Sequence, residues 1–596
     1  MRVRPLLFLL CLAPGLAAPP LAAEQDREER RLARVVPERA LERLLDPLPR
    51  PLSRSDTALY RRIFALQEQG HFPEADRLIA QLDNKLLLGH VLAQRYLHPT
   101  AYRSRYDELR AWLVKYADHP QASRIYRLAK KRRPKGAPPP PRPVPGYLGG
   151  SGQELYDDYR LIDARIRPKS RWLRQLQREV RRGRISAAER RLAAKHDHGR
   201  PLEIDLARWF LARAHLFAGR DERALELAAP AAARSGEEQP GIYWTAGLAA
   251  WRLGRAEEAA RYFAALANSE EPSNEERAAA AFWAARGYLV AGRPRAAARF
   301  LHLAASASDG FYGLLAQATL GRPIAFGRRE EGLRDSLVAL LIRFPGSRRA
   351  MALAQVGRLD LAEAEIRKLA ARARPPLLRA LAALAESLDL AATQLRVAQR
   401  LRLVDGDSHE RSAFPVPKWE PKHGYRLDRA LLWAFARAES GFDPTVRSRR
   451  GALGLMQIMP RTAREIARNI QIAYRGRRSL LDPQINLALG QAYLEQLLAD
   501  PLAGQSLIHL ALAYNAGRGR LEQWDERLAR FADDPLMYIE SIPFRESRLY
   551  VKKVLVNLWA YRARLGQSAP SLEALAANGW PRYVALEERD RADARR

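Results

Sequence analysis

The chain has 596 residues, 47% hydrophobic and 28% charged, with Lys+Arg 100 against Asp+Glu 67 and a formal net charge of +33. The hydrophobic share excludes a mostly disordered chain, and the length allows about three or four domains. Ala, Leu and Arg dominate and β-branched runs are scarce, so the expected fold class is all-α.

The opening segment reads as an export signal. Arg2 and Arg4 precede an apolar run from Leu6 to Ala13, broken by Pro14-Gly15 and followed by small residues up to Ala22-Ala23. That layout predicts a signal peptide over 1–23, cleaved near Ala23. Cys11, the single cysteine, lies in the run behind Leu10, where a lipoprotein would carry a small residue. The mature chain then has neither disulfide nor thiolate. No later stretch reaches the length of a membrane span, and none is expected. The positive charge favours an anionic partner. Zinc-finger spacing, an RNA-binding aromatic signature and basic-zipper heptads are missing, which argues against nucleic acid. For an exported protein that leaves cell-wall polymer or lipid head groups, with solvated Arg-rich faces as the alternative. The histidines show no paired ligand spacing, so neither metal nor cofactor is expected.

Residues 24–335 are expected to form one helical domain: 24–130 alternate apolar and charged positions at helical spacing, and a Pro-rich linker over 132–150 with four consecutive prolines precedes further helical sequence. A Gly-basic pair followed by an Ala-rich segment recurs at Gly183-Arg184, Gly219-Arg220, Gly254-Arg255 and Gly292-Arg293, with fainter copies at Gly70-His71 and Gly357-Arg358. This period predicts helical-hairpin repeats stacked into an α-superhelix, the glycine supplying the turn after each first helix. An ordinary helical bundle is the alternative. Residues 336–420 read as a small helical linker domain, ending in the loop Ala413 to Leu427. Residues 421–590 form the C-terminal domain and hold the chemically suggestive motifs.

Asp428 to Glu439 reads as an apolar helix with Asp428 as N-cap and Gly441 at its C-terminal turn. Glu439 then sits in the last turn, where the helix dipole and apolar neighbours both disfavour its charge and raise its pKa. That suits a general acid. Two glycines, Gly451 and Gly454, imply special dihedrals or close approach before a helix starting near Pro460, with Thr462 to Glu465 as a capping box.

Glu439-Ser440, then Gly451-Ala452-x-Gly454-Leu455-Met456-Gln457-x-Met459-Pro460-x-Thr462-Ala463, resembles the catalytic domain of soluble lytic transglycosylases. Asp482-Pro483, Asn486, Gly490 and Tyr493-Leu494 look like that family's central helix. Ala513-Tyr514-Asn515-Ala516-Gly517 and Glu540-Ser541-Ile542-Pro543-Phe544, followed by Glu546, Arg548 and Tyr550-Val551, look like its later motifs. Ser547 and Leu549 depart from the pattern and leave subsite details open. The resemblance implies a goose-lysozyme-like catalytic domain behind a superhelix, as in the ring-shaped periplasmic members. It also implies cleavage of the β-1,4 bond between N-acetylmuramic acid and N-acetylglucosamine in peptidoglycan, with 1,6-anhydro ends. Glu439 would act as acid and then base. Ser448, Gln457, Met459, Tyr514, Asn515, Glu540 and Tyr550 would contact substrate. The expected partners are glycan strands and other cell-wall enzymes, and the expected state is a monomer. Two readings compete: a hydrolytic muramidase of the same fold and a non-enzymatic wall-binding scaffold. Ordinary glycosidases need two carboxylates; Asp443 and Glu465 are close in sequence but their spacing marks no nucleophile, Asp482 reads as a helix cap, and the resemblance implies that no second carboxylate is used.

Overall fold

The computed structural model describes residues 38–152, 159, 162, 168–195, 200–307, 309–324, 332–406 and 410–587. The expected signal peptide and Cys11 lie outside them. The described residues are helical with connecting loops, and their only β pairing is isolated bridges, Arg447 with Leu453 and Leu453 with Ile458. None of their helices is long and apolar enough to cross a membrane.

The chain divides into two compact units, one of residues 1–146 and 342–368, the other of 147–341 and 369–596. This division differs from the expected boundaries at 335 and 420, because residues 342–368 pack with the N-terminal segment rather than with their chain neighbours. In the first unit, Leu109, Trp112, Leu113 and Ile125 are fully or almost fully buried in a common core. The Pro-rich stretch belongs to this unit as far as Gly146. The Tyr106 hydroxyl donates to the Pro138 carbonyl, the Val144 amide donates to Ala117 O over 2.9 Å, and Lys368 Nζ donates to Val144 O at 2.7 Å and Gly146 O at 2.9 Å. Proline supplies no amide, so its carbonyls are held by donors from elsewhere.

The second unit opens with helical hairpins: Arg171–Arg181 with Ile185–Ala193, Pro201–Phe217 with Asp221–Ser235, Gly241–Arg252 with Ala256–Asn268, and Asn274–Val290 with Pro294–Ala307, then Phe311–Thr319. One turn serves all the hairpins. Gly219, at φ +76°, donates to Leu216 O over 3.1 Å, and the Arg220 amide donates to His215 O over 2.9 Å. The same pair of bonds recurs at Gly183-Arg184, Gly254-Arg255 and Gly292-Arg293. A left-handed residue at that point closes the orphan carbonyls of the first helix and reverses the chain, and glycine adopts it without a Cβ penalty. Fully buried alanines, among them Ala259, Ala260, Ala278 and Ala281, let the helices approach closely.

The rest of the second unit builds on Arg429–Ser440 and the long Arg545–Arg564 helix, which are pinned together where Asn557 Nδ2 donates to Ala434 O (3.0 Å) and Arg437 Nη1 donates to Asn557 Oδ1 (2.5 Å). Asp428 is the N-cap residue, as expected, but its carboxylate accepts the amides of Leu586 and Glu587 (3.0 and 3.1 Å) instead of those of its own helix. Pro460–Asn469 starts with Pro460 in its first turn and has no side-chain cap. The expected capping box does not form, because Thr462 already lies inside the helix.

Candidate active site

Glu439 is the penultimate residue of Arg429–Ser440, which ends at Gly441 in the left-handed conformation (φ +58°). Its carboxyl oxygen Oε1 accepts a 2.6 Å hydrogen bond from the Tyr550 hydroxyl. Around it stand Phe435, Tyr493, Tyr514 and Tyr550. The Phe435 ring lies 4.8 Å from that of Tyr514 and 6.3 Å from that of Tyr550, and Tyr493 lies 5.2 Å from Tyr514. The residue keeps some surface, but its carboxyl is sheltered among these rings. Desolvation pushes the pKa up to about 7, against the Tyr550 hydrogen bond and the Lys553 charge, which lower it; the Glu546 charge raises it further. The group is therefore a proton donor and acceptor of comparable strength near neutrality.

The loop facing this acid is fixed by a few polar contacts. Tyr514 donates to Met456 O (2.7 Å), and the Met456 amide donates to Asn486 Oδ1 (2.7 Å). Asn486 Nδ2 in turn donates to Leu453 O (3.0 Å) and Leu480 O (2.8 Å). At Gly454 (φ +79°), a Cβ would stand 2.1 Å from Leu480 O and 2.3 Å from Asn486 Nδ2, so only glycine fits. Gln457 takes φ +47° and folds its amide back, donating to Val446 O (3.0 Å) and Gly454 O (2.8 Å). A non-glycine residue held at positive φ is strained, a condition often found at functional sites.

The structure brings together Glu439, Tyr514 and Tyr550. Asn515 follows Tyr514, and its Oδ1 accepts from Ser547 Oγ at 2.8 Å. Gln457 and Met459 lie on the loop, and Met459 is 41% exposed while Met456 is buried. Ser448 is exposed on the same loop, its hydroxyl accepting the Ala452 amide at 2.9 Å. Glu540 is not part of the group. It is 2% exposed, with Lys552 Nζ 2.5 Å from Oε1 and the Tyr312 hydroxyl donating to the same oxygen. Trp283 Nε1 donates to Tyr312 (3.0 Å), and Arg252 Nη2 donates to Ser541 (2.7 Å). Glu540 thus ties the repeat helices to this segment, and a substrate contact would require breaking a buried ion pair. Asn486, Phe435 and Tyr493 were not singled out as site residues. Asn486 reads from the sequence only as a helix position, because one side of its bracing lies on the loop over 453–456, 30 to 33 residues earlier in the chain.

Of the three carboxylates weighed from the sequence, two have other partners and one is exposed. Asp443 is paired with Arg396 (2.9 Å) and accepts from Thr445, Glu465 is exposed, and Asp482 caps Pro483–Ala499 through the amides of Gln484 and Ile485. Among the described residues, one group has ligand atoms close enough to hold a cation: His90, His119 and Glu365 in the first unit, within 4.8 Å of one another. Arg349 already occupies the carboxylate (Nε to Oε1 2.6 Å, Nη2 to Oε2 3.0 Å). His119 Nδ1 accepts the Gln121 amide, which leaves the proton on Nε2. His90 Nε2 shares the same carboxylate at 2.8 Å, while His119 Nε2 makes no hydrogen bond among the described residues.

Residues 419–536 match the family model of the Transglycosylase SLT domain. The chain is 40% identical over 161 residues to the soluble lytic murein transglycosylase of Salmonella typhimurium, a match covering 27% of this chain and 24% of that relative's length. The 70 kDa soluble lytic transglycosylase of Escherichia coli superposes with a TM-score of 0.54 at 20% identity, covering 89% of this chain and 99% of that one. An inactive mutant of the lytic transglycosylase Slt of Pseudomonas aeruginosa superposes with a TM-score of 0.54 at 21% identity, covering 92% of each chain. Residues 419–536 are therefore similar to a transglycosylase SLT domain, and the chain shares the all-helical fold of the solved soluble lytic transglycosylases.

Proposed function

We propose that this protein is a peptidoglycan lytic transglycosylase whose catalytic domain spans residues 421–590 and whose acid and base is Glu439. The observation that carries the reading is the Glu439 carboxyl, sheltered among aromatic rings and poised at about pH 7. A donor that must protonate a glycosidic oxygen and then recover a proton needs that balance. Tyr550 holds Oε1 and leaves the other carboxyl oxygen to face the sugar. Glu439 gives its proton to the leaving oxygen between N-acetylmuramic acid and N-acetylglucosamine. The N-acetyl group of the substrate stabilises the charge developing at C1. The Glu439 carboxylate next takes the proton of the C6 hydroxyl, whose oxygen bonds to C1 and closes the 1,6-anhydro ring. No water is consumed. The nucleophile is tethered to the sugar it attacks, which supplies the proximity advantage.

Asp443 and Asp482 are engaged elsewhere and Glu465 is exposed, which favours a single-carboxylate reaction over a two-carboxylate hydrolysis through any of these three; Glu546, whose charge reaches Glu439, is the carboxylate that a hydrolytic reading would use. Ser448, Gln457, Met459, Tyr514 and Asn515 are the proposed substrate contacts, and Tyr550 is proposed to act through Glu439. Export through the 1–23 segment into the periplasm, a helical linker domain and a monomeric state belong to the same proposal. The test is to incubate the protein with peptidoglycan and weigh the released fragments. Anhydro ends, one water lighter than hydrolysis products, are expected. Reducing ends would make the protein a hydrolytic muramidase, and intact glycan would leave only a scaffold.

A further inference from the structure

Near the proposed acid, one aromatic side chain stays open to solvent. Phe544 is 50% exposed, although buried Trp524 packs against it with ring centroids 5.5 Å apart. The Arg520 guanidinium lies over the same ring, 4.9 Å from its centroid. Arg520 is exposed and makes no ion pair among the described residues. A lone exposed phenylalanine would need no explanation. This one caps the helix Arg545–Arg564, whose Ser547 bonds to Asn515 and whose Tyr550 bonds to Glu439. Positions 544, 547 and 550 are a steady three residues apart, so each stands about 4.5 Å further along the axis and turned by about 60°. They form one strip, with Phe544 about 9 Å along the helix from Tyr550, a span suited to a sugar some way from the cleaved bond.

We propose that Phe544 and Arg520 form a remote glycan subsite. This rests on the lytic transglycosylase reading. The open side of the Phe544 ring takes the apolar face of a sugar. The Arg520 fork takes a carboxylate carried by the muramyl substituent, as guanidinium geometry suits. The aromatic platform reads the strand and the cation reads its substituents, so the pair separates muropeptides from uncharged chito-oligosaccharides.

The full chain carrying Glu439→Gln serves as the binding form, titrated calorimetrically with three probes: an N-acetylglucosamine tetramer, a tetrasaccharide bearing peptide stems, and a disaccharide too short to reach Phe544. Adding Phe544→Ala is expected to weaken both tetrasaccharides about tenfold, the scale of one aromatic contact. Adding Arg520→Gln is expected to weaken only the stem-bearing probe, about tenfold, and to flatten its salt dependence. Phe544→Tyr should restore binding, and melting curves check that every variant folds. Unchanged tetrasaccharide binding in Phe544→Ala, or an equal loss for the disaccharide, overturns the subsite. So does a parent that binds neither tetrasaccharide. Wild-type cleavage to anhydro ends alongside unchanged Phe544→Ala binding sinks the subsite alone. The expected binding differences without any cleavage sink the reaction and keep the subsite.

Discussion

Two glutamates use the same helix for opposite purposes. From Arg545–Arg564, Tyr550 reaches Glu439 and Lys552 reaches Glu540. Glu540 has a lysine at 2.5 Å, a tyrosine hydroxyl and Arg548 at 3.8 Å, and it holds segments together as a charge. Glu439 has one hydroxyl and a ring of aromatic side chains, and its charge is costly. Burial alone therefore does not make a catalytic acid. A close cation turns a buried carboxyl into a structural anchor, while its absence leaves desolvation to raise the proton affinity.

The sharpest break of that contrast is Glu439→Gln. Cleavage of peptidoglycan should fall by about 10³-fold or more, the upper range for a general acid. Folding should not suffer. The folded pKa of Glu439 lies above its ordinary value of 4.5, so stability is lost as pH rises from about 4.5 through about 7. Above pH 7 the variant should melt higher than wild type by a margin of up to about 3 kcal/mol, read by urea unfolding across pH. A gain confined to acidic pH would contradict the assigned sign.

At the other glutamate the prediction inverts. Lys552→Met leaves Glu540 buried without its nearest cation and should cost about 3–5 kcal/mol. Lys552→Met combined with Glu540→Gln should cost less than the single change, which a double-mutant denaturation cycle would show.

The same contrast can be drawn on glycines. Gly454→Ala drives a Cβ into Leu480 O and should destabilise by about 3 kcal/mol or more. Gly219→Ala meets only Arg530 Nη2 at 3.8 Å, so it pays about 1 kcal/mol for its left-handed backbone. Calorimetric melting of both variants compares a unique loop with a repeated turn.

The smallest expected effect is at Tyr550. Removing its hydroxyl in Tyr550→Phe deletes a bond that lowers the Glu439 pKa. The alkaline limb of the kcat/KM profile, which begins near pH 7 because the acid must be protonated, should move to higher pH. An unmoved limb would mean that Tyr550 does not act on the acid.

Much of this was legible in the sequence because it is local. The Gly-basic period names the hairpin turn, since the turn's bonds span six residues. Asp482 as a cap, Gly441 as a stop and Glu439 in the last turn follow from residues within one helix. The capping box at Thr462 failed because the helix began earlier, at Pro460. The expected boundary at 335 differs from the compact units because 342–368 find their partners more than 200 residues away, as in the bond from Arg349 to Asp118.

By itself the sequence determined the helical class, the repeated turn and the candidate acid, since periodicity, capping and dipole effects act over a few residues. Only the tertiary structure decided which glutamate feels a cation at a distance and which is clamped by one in contact. Desolvation and ion pairing depend on what the fold brings within a few ångströms, and spacing along the chain does not record that.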